Sequence, residues 1–379
     1  MLGKKIRVLV VDDTIVYRKA VSDILAEMPG IEVVGVAHNG KIAVAKIETL
    51  KPDLLTLDIE MPVMNGIEVL QYLQQHAPQV SAIMVSTLTS EGGDMTMRAL
   101  ELGAYDFILK PSSTNIADSK QQLRLLLAPL IKAFQSGRTA VGAMQAVHKA
   151  RTPTPHPTPS TSLPAARQHG AGGSARPRPF AKDMRRQGKS EIIAIGISTG
   201  GPNALAKMMP MLPGNLGVPI LIVQHMPPVF TRSLANSLNV KCALTVKEAR
   251  DGEPILADVV YIAPGGKQMK LVASTDGTNR LIRITDDPPE NSCRPSADYL
   301  FRSVADYYVG RATAVIMTGM GSDGTKGLQV LKEKGAVIIG QDESSCVVYG
   351  MPKTPAELGL TDVVVTLSKI AGEVVKTVK

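Results

Sequence analysis

Ser198 stands in the run Gly196-Ile197-Ser198-Thr199-Gly200-Gly201-Pro202, directly after the apolar residues 192–195. A strand that ends in small residues and then meets a proline can turn sharply into a helix, because proline's missing N–H would be unpaired at the first helical position anyway. A serine on such a turn projects from the carboxyl end of the strand, with backbone N–H groups nearby for a developing oxyanion. The same run also fits a phosphate-cradling loop, or a turn with no chemistry. A serine nucleophile needs a base. From residue 190 to 379 there is one histidine, His225, in Gln224-His225-Met226-Pro227 after the apolar residues 218–223. In isolation it reads equally well as a surface or capping histidine. The acid best placed to orient it is Asp323, which follows the apolar residues 313–317, although an aspartate there also suits a helix cap. Asp286, Asp287 and Asp342 are the alternatives. The order Ser, His, Asp differs from the Ser, Asp, His of α/β-hydrolases, so the elbow belongs to another topology.

A second constellation lies in the first third of the chain. Asp12, Asp13, Asp58, Ser86 and Lys110 each fall at or just after the end of a short apolar run. Three carboxylates gathered together repel one another, and a hard divalent cation such as Mg²⁺ is the usual compensation. A cation, an acceptor carboxylate, a hydroxyl and a lysine make a phosphoryl-transfer site in which Asp58 can be the nucleophile. The plain alternative is that Asp12 and Asp13 cap a helix and Lys110 makes a surface ion pair.

The elements that must carry these residues alternate regularly. Strands are expected at 6–11, 32–37, 54–57, 82–85 and 105–109, with helices at about 16–28, 40–49, 66–75, 91–102 and onward from 116. A second series begins at 191. Its strands are at 192–195, 218–223, 259–262, 313–317 and 336–339, and its helices at about 202–211, 229–238, 296–308 and 324–334. A β-rich middle at 243–285 includes a hairpin at Asp276-Gly277. Strands alternating with helices imply two doubly wound parallel α/β sheets, and in such sheets ligands sit outside the carboxyl ends of the strands. That rule puts each constellation on one sheet edge.

These residues carry a resemblance. Residues 1 to 130 resemble a response-regulator receiver domain in Asp12-Asp13, Asp58 followed by Met61-Pro62, Ser86 and Lys110-Pro111. This implies a flavodoxin-like fold, Mg²⁺ held by Asp12, Asp13 and Asp58, phosphorylation of Asp58 by a histidine kinase, and Ser86 and Lys110 as the phosphoryl-sensing pair, with a Lys110–Pro111 bond that is usually cis. Residues 190–379 resemble the catalytic domain of chemotaxis protein-glutamate methylesterases, a Rossmann-like serine hydrolase. The matching motifs are Gly-Ile-Ser-Thr-Gly-Gly-Pro at 196–202, Gln224-His225-Met226-Pro227, Cys293-Arg294-Pro295-Ser296-Ala297-Asp298 and Thr-Gly-Met-Gly-Ser-Asp-Gly at 318–324. The resemblance implies Ser198 as nucleophile, His225 as general base, Asp323 as its orienter, Thr199 and Met320 beside the oxyanion, and Arg294 as a substrate contact. It implies demethylation of glutamate esters on chemoreceptor helices, deamidation of some glutamines there, and no cofactor for the esterase. The unphosphorylated receiver is expected to cover the Ser198 cleft.

Composition narrows the remaining classes. The net charge of +8 invites a nucleic-acid partner, but the excess is confined to residues 138–189, where ten Lys/Arg face one acid. That segment, 136–189, is rich in Pro, Gly and Arg, lacks periodicity, and reads as a disordered linker without the interleaved aromatics that stack bases. No nucleic acid is therefore expected. A nucleotide-binding output lacks a P-loop lysine, and a transcriptional output lacks a basic helix-turn-helix. The three cysteines are widely spaced and form neither a disulfide framework nor a zinc pattern. With no apolar run near the roughly 20 residues of a membrane span, a cytoplasmic monomer without membrane insertion is expected.

Overall fold

The computed structural model describes residues 5–87, 89–111, 115–149 and 188–379. The first unit is β1 (Ile6–Val11), α1 (Ile15–Ala26), β2 (Ile31–Ala37), α2 (Gly40–Leu50), β3 (Leu54–Asp58), α3 (Gly66–His76), β4 (Ser81–Ser86), α4 (Ser90–Glu101), β5 (Asp106–Leu109) and α5 (Ile116–Lys149). Its five strands pair in the order β2-β1-β3-β4-β5, all parallel. β3 reads Leu-Leu-Thr-Leu-Asp and is buried throughout, as a central strand covered by helices on both faces must be. The strand order reverses between β1 and β3, which brings Asp12 and Asp58 to one crevice.

The second unit is β6 (Ile192–Ile197), α6 (Gly201–Met208), β7 (Ile220–Gln224), α7 (Phe230–Lys241), β8 (Thr245–Glu248), β9 (Val259–Ile262), β10 (Gln268–Ala273), β11 (Arg280–Thr285), α8 (Ala297–Tyr307), β12 (Ala312–Ile316), α9 (Thr325–Glu333), β13 (Val337–Gln341), α10 (Lys353–Glu357), β14 (Val363–Val365) and α11 (Leu367–Val378). Seven parallel strands follow the order β14-β13-β12-β6-β7-β9-β8, and β10 and β11 form the separate antiparallel hairpin that Asp276-Gly277 turns. The chain runs outward from β6 on one side and returns to β12 on the other. The switch point therefore lies between β6 and β12, beside Ser198. Residues 192–197 are fully buried, with α6, α7 and α11 against one face and α8 and α9 against the other.

Three observations depart from the sequence expectations. α5 continues to Lys149, past the expected linker start at 136; residues 140–149 are mostly Ala, Met, Gln, Val and Lys, among which several are good helix formers. Residues 150–187 of that linker lie outside the described residues. The single cis peptide bond among the described residues is Arg294–Pro295, so Lys110–Pro111 is trans, the intrinsically favoured state of an X–Pro bond. The terminal β14 and α11 were not anticipated, since three valines are too short a run to stand out. No helix among the described residues is long and apolar enough to cross a membrane.

Candidate functional site

The turn after β6 is built from close contacts. Gly200 has φ of 73°, and a Cβ there would sit 2.5 Å from Val347. A Cβ on Gly201 would lie 1.9 Å from Gln224 Oε1, so only glycine lets the helix start here. The backbone N–H of Ser198 donates to Thr318 O at 3.0 Å, and its carbonyl accepts from Gly201 N at 2.7 Å and Gln224 Nε2 at 3.0 Å. These bonds hold the turn by main chain and leave the Ser198 hydroxyl uncommitted. The 318–320 segment lies directly against it: a Cβ on Gly319 would be 2.8 Å from Ser198 Cβ. The backbone N–H groups of Thr199 and Met320 have no acceptor among the described residues.

His225 follows β7, its backbone N–H donating to Ile197 O at 3.1 Å. Its Nε2 lies 2.8 Å from Asp323 Oδ2. Asp323 is 2% exposed and does not cap the helix that follows it; it sits over the N-terminus of α8 instead. There it accepts from Ala297 N at 2.6 Å, Asp298 N at 3.3 Å, Ser296 Oγ at 2.7 Å and Asn291 Nδ2 at 2.9 Å. Burial alone would raise its pKa, but His225 and these donors outweigh it and hold the carboxyl at about 2. Burial opposes a charged imidazole, yet the Asp323 hydrogen bond, with a smaller effect from the Cys293 sulfur, pushes His225 up to about 9. With Nε2 so occupied, Nδ1 is the ring nitrogen left for chemistry. No hydrogen bond joins the Ser198 hydroxyl to His225 among the described residues; such bonds are often long before substrate binds. Arg294 is exposed and donates to Asp286 O at 3.3 Å, and Met320 is 45% exposed at the mouth.

In the first unit, Lys110 Nζ lies 2.7 Å from Asp58 Oδ2 and 3.0 Å from Asp12 Oδ2. Asp12, Asp13 and Asp58 offer carboxylate oxygens within 4.8 Å of one another, a hard, anionic donor set that suits Mg²⁺. Burial pushes Asp58 up to about 6, against the pull of Lys110 and with added repulsion from Asp12 and Asp13. Ser86 is engaged with α4. Its hydroxyl accepts from Thr96 Oγ1 at 2.9 Å and lies 3.4 Å from Gly92 O, both on α4.

A family model described as CheB methylesterase matches residues 193–374, and one described as response regulator receiver domain matches residues 8–124. The protein-glutamate methylesterase/protein-glutamine glutaminase of Desulfotalea psychrophila is 60% identical over 376 residues, covering 99% of each chain. The chain belongs to the CheB methylesterase family. The Bacillus subtilis protein of the same name is 42% identical over 375 residues, again 99% of each chain. The catalytic domain of Thermotoga maritima CheB methylesterase, a crystal structure, is 42% identical and covers 49% of this chain and 98% of its own, with a TM-score of 0.48.

In this member of the CheB family the two units share an apolar contact. Phe107 of β5 stacks on Phe230 of α7 with ring centroids 4.9 Å apart, and α4 packs along α7. Asn203 Nδ2 donates to Ala104 O at 3.0 Å, and Glu101 is paired with Lys241 and Ser237. Asp106, buried at the end of this seam, accepts from Gly200 N at 3.3 Å, one residue beyond Thr199. The receiver thus touches the serine turn itself. Sequence reading had not singled out Asp106, Phe107 or Phe230, because nothing in either unit's own periodicity marks a partner for them. Ser296, which stands in the 293–298 motif, and Asn291 both hold Asp323, a role that nothing in the sequence assigns to them although Ser296 is legible as a helix N-cap.

Proposed function

We propose that the chain is a phosphorylation-controlled protein-glutamate methylesterase, also able to deamidate glutamine, acting on methylated chemoreceptors and receiving its phosphoryl group from a histidine kinase. The observation that carries this reading is the His225–Asp323 pair, 2.8 Å apart on the sheet edge that also bears Ser198. His225 Nδ1 takes the proton of the Ser198 hydroxyl as its oxygen attacks the ester carbonyl. The oxyanion meets the N–H groups of Thr199 and Met320, and Arg294 reads the substrate at the rim. His225 then gives that proton to the departing methoxide oxygen, or to the amide nitrogen of a glutamine, so that methanol or ammonia leaves as the acyl-enzyme forms. Water activated by the same ring releases the glutamate. Asp323, full of donors and far below the usual carboxylate range, stays ionised and steadies the imidazolium.

Control follows from the seam. Mg²⁺ at Asp12, Asp13 and Asp58 would neutralise charge during phosphorylation. A phosphoryl group on Asp58, paired with Lys110, draws the Ser86 hydroxyl towards it. That costs α4 the Thr96 and Gly92 contacts and shifts the population away from the closed arrangement of α4, Phe107 and Asp106 on α6 and α7. The supporting domain division is a receiver over 1–130 whose last helix runs on to Lys149, a linker from there to 189 and the esterase over 190–379.

Methanol release from methylated receptor membranes should rise on adding a small-molecule phosphodonor with Mg²⁺, and Asp58→Asn should abolish that rise. Equal rates for Asp58→Asn, with and without phosphodonor, and for the phosphorylated protein would overturn the control scheme. The pH profile tests the base. Only the neutral ring can accept the serine proton, so kcat/KM should climb with pH through the neutral range and level near the His225 value of about 9. A profile already flat from the ordinary histidine value of about 6.5 upward would mean that the Asp323 hydrogen bond does not raise the imidazole, and one with no rise at all between about pH 5 and 10 would remove His225 from this role.

A further inference from the structure

Cys293 Sγ lies 3.6 Å from His225 Nδ1, the ring nitrogen that Asp323 does not hold. His225, Cys293 and Asp323 each present a ligand atom, all within 4.8 Å of one another. Tetrahedral zinc binds thiolate at about 2.3 Å and imidazole at about 2.0–2.1 Å, and ligand atoms at those lengths stand roughly 3.6 Å apart. The Cys293–His225 separation is that span. Zinc-binding histidines commonly donate their other ring nitrogen to a carboxylate, which fixes the tautomer and raises the ligand's basicity. Asp323 already stands in that position. Cys293 and His225 are both only partly buried, so an ion can reach them.

We propose that Cys293 and His225 form an inhibitory site for a thiophilic divalent cation of the Zn²⁺ class, with Asp323 orienting the imidazole. Binding releases the Cys293 thiol proton and the Nδ1 proton of the imidazolium to solvent, forms a metal–sulfur and a metal–Nδ1 bond, and leaves the remaining positions to water. The lone pair that would take the Ser198 proton is then engaged. Softness sorts the two metal sites of the chain: Mg²⁺ prefers the oxygens of Asp12, Asp13 and Asp58, whereas a thiolate–imidazole pair selects Zn²⁺ or Co²⁺. Sequence spacing gives no hint of this, since the two ligands are 68 residues apart. The inhibition rests on His225 being the base of the proposed esterase; the binding does not.

The test uses the full chain under reducing, anaerobic conditions in excess Mg²⁺, titrated with Co²⁺ alone. A near-ultraviolet thiolate-to-cobalt charge-transfer band should saturate at a single equivalent, and Zn²⁺ should displace it while suppressing methanol release. Cys293→Ala and Cys293→Ser should lose the band, and Zn²⁺ should leave each at its own metal-free rate. A Cys242→Ala/Cys346→Ala double variant should keep both responses, which secures the assignment even if a Cys293 variant folds poorly. The proposal is overturned by a wild-type protein without the band, by a band that survives Cys293→Ser or vanishes in the double variant, or by Zn²⁺ inhibition with no band. Absence of any esterase activity would instead defeat the functional reading and leave the spectral result to stand or fall by itself.

Discussion

Ser198→Ala is expected to lower methanol release by about a million-fold, the order seen when a serine hydrolase loses its nucleophile. The turn itself should persist. Every hydrogen bond that holds residue 198 runs through its main chain, to Thr318, Gly201 and Gln224, and alanine keeps them all. Alanine also fits against Gly319 as serine does, because the close approach there is to Cβ. The variant should therefore melt within a degree or two of wild type, a shift of less than about 0.5 kcal/mol at a site with no buried partner lost. Initial rates on methylated receptor membranes, read beside a thermal melt, decide the matter. Turnover within about ten-fold of wild type would assign the chemistry to another group, since no auxiliary role of a hydroxyl here supplies the remaining factor.

Asp323→Asn should cost about ten-thousand-fold in kcat, because a carboxamide can neither hold the His225 tautomer nor stabilise the imidazolium. Here the fold will also suffer. Asp323 accepts from His225, Ser296, Asn291 and two backbone N–H groups at the start of α8. An asparagine must turn its NH₂ towards some of these donors, which leaves a buried donor unsatisfied at about 1–3 kcal/mol. The two effects separate cleanly. Denaturant unfolding reports the second, and kcat measured where the variant is fully folded reports the first. The rise of the pH profile should also move down towards the ordinary histidine range, because the largest favourable partner of the charged ring is gone. An unchanged profile would mean that Asp323 braces α8 and does not act through His225.

Much of this is legible in the amino-acid sequence. Apolar runs ending in Asp12, Asp58, Ser86, Lys110, Ser198 and His225 could be strands only if those residues stood at carboxyl ends, and the doubly wound rule then gathers them at the edges of two sheets. The single histidine of the second unit left no rival base. Local propensity was less reliable at boundaries: α5 overran the expected linker start, and β14 was invisible, because three valines carry little periodic signal.

What the sequence determined by itself was the order of elements as far as β13, the two parallel sheets and the candidate reactive residues, because strand alternation and turn chemistry are local properties. Only the tertiary structure decided who touches whom. It brought Asp323 onto α8 and not its own helix, put Cys293 beside Nδ1, turned Ser86 towards Thr96, and set Asp106 on Gly200. Each of these contacts joins residues on different elements or in the loops between them, and one joins the two units. They depend on how packed layers meet, and no periodicity within a single element encodes that.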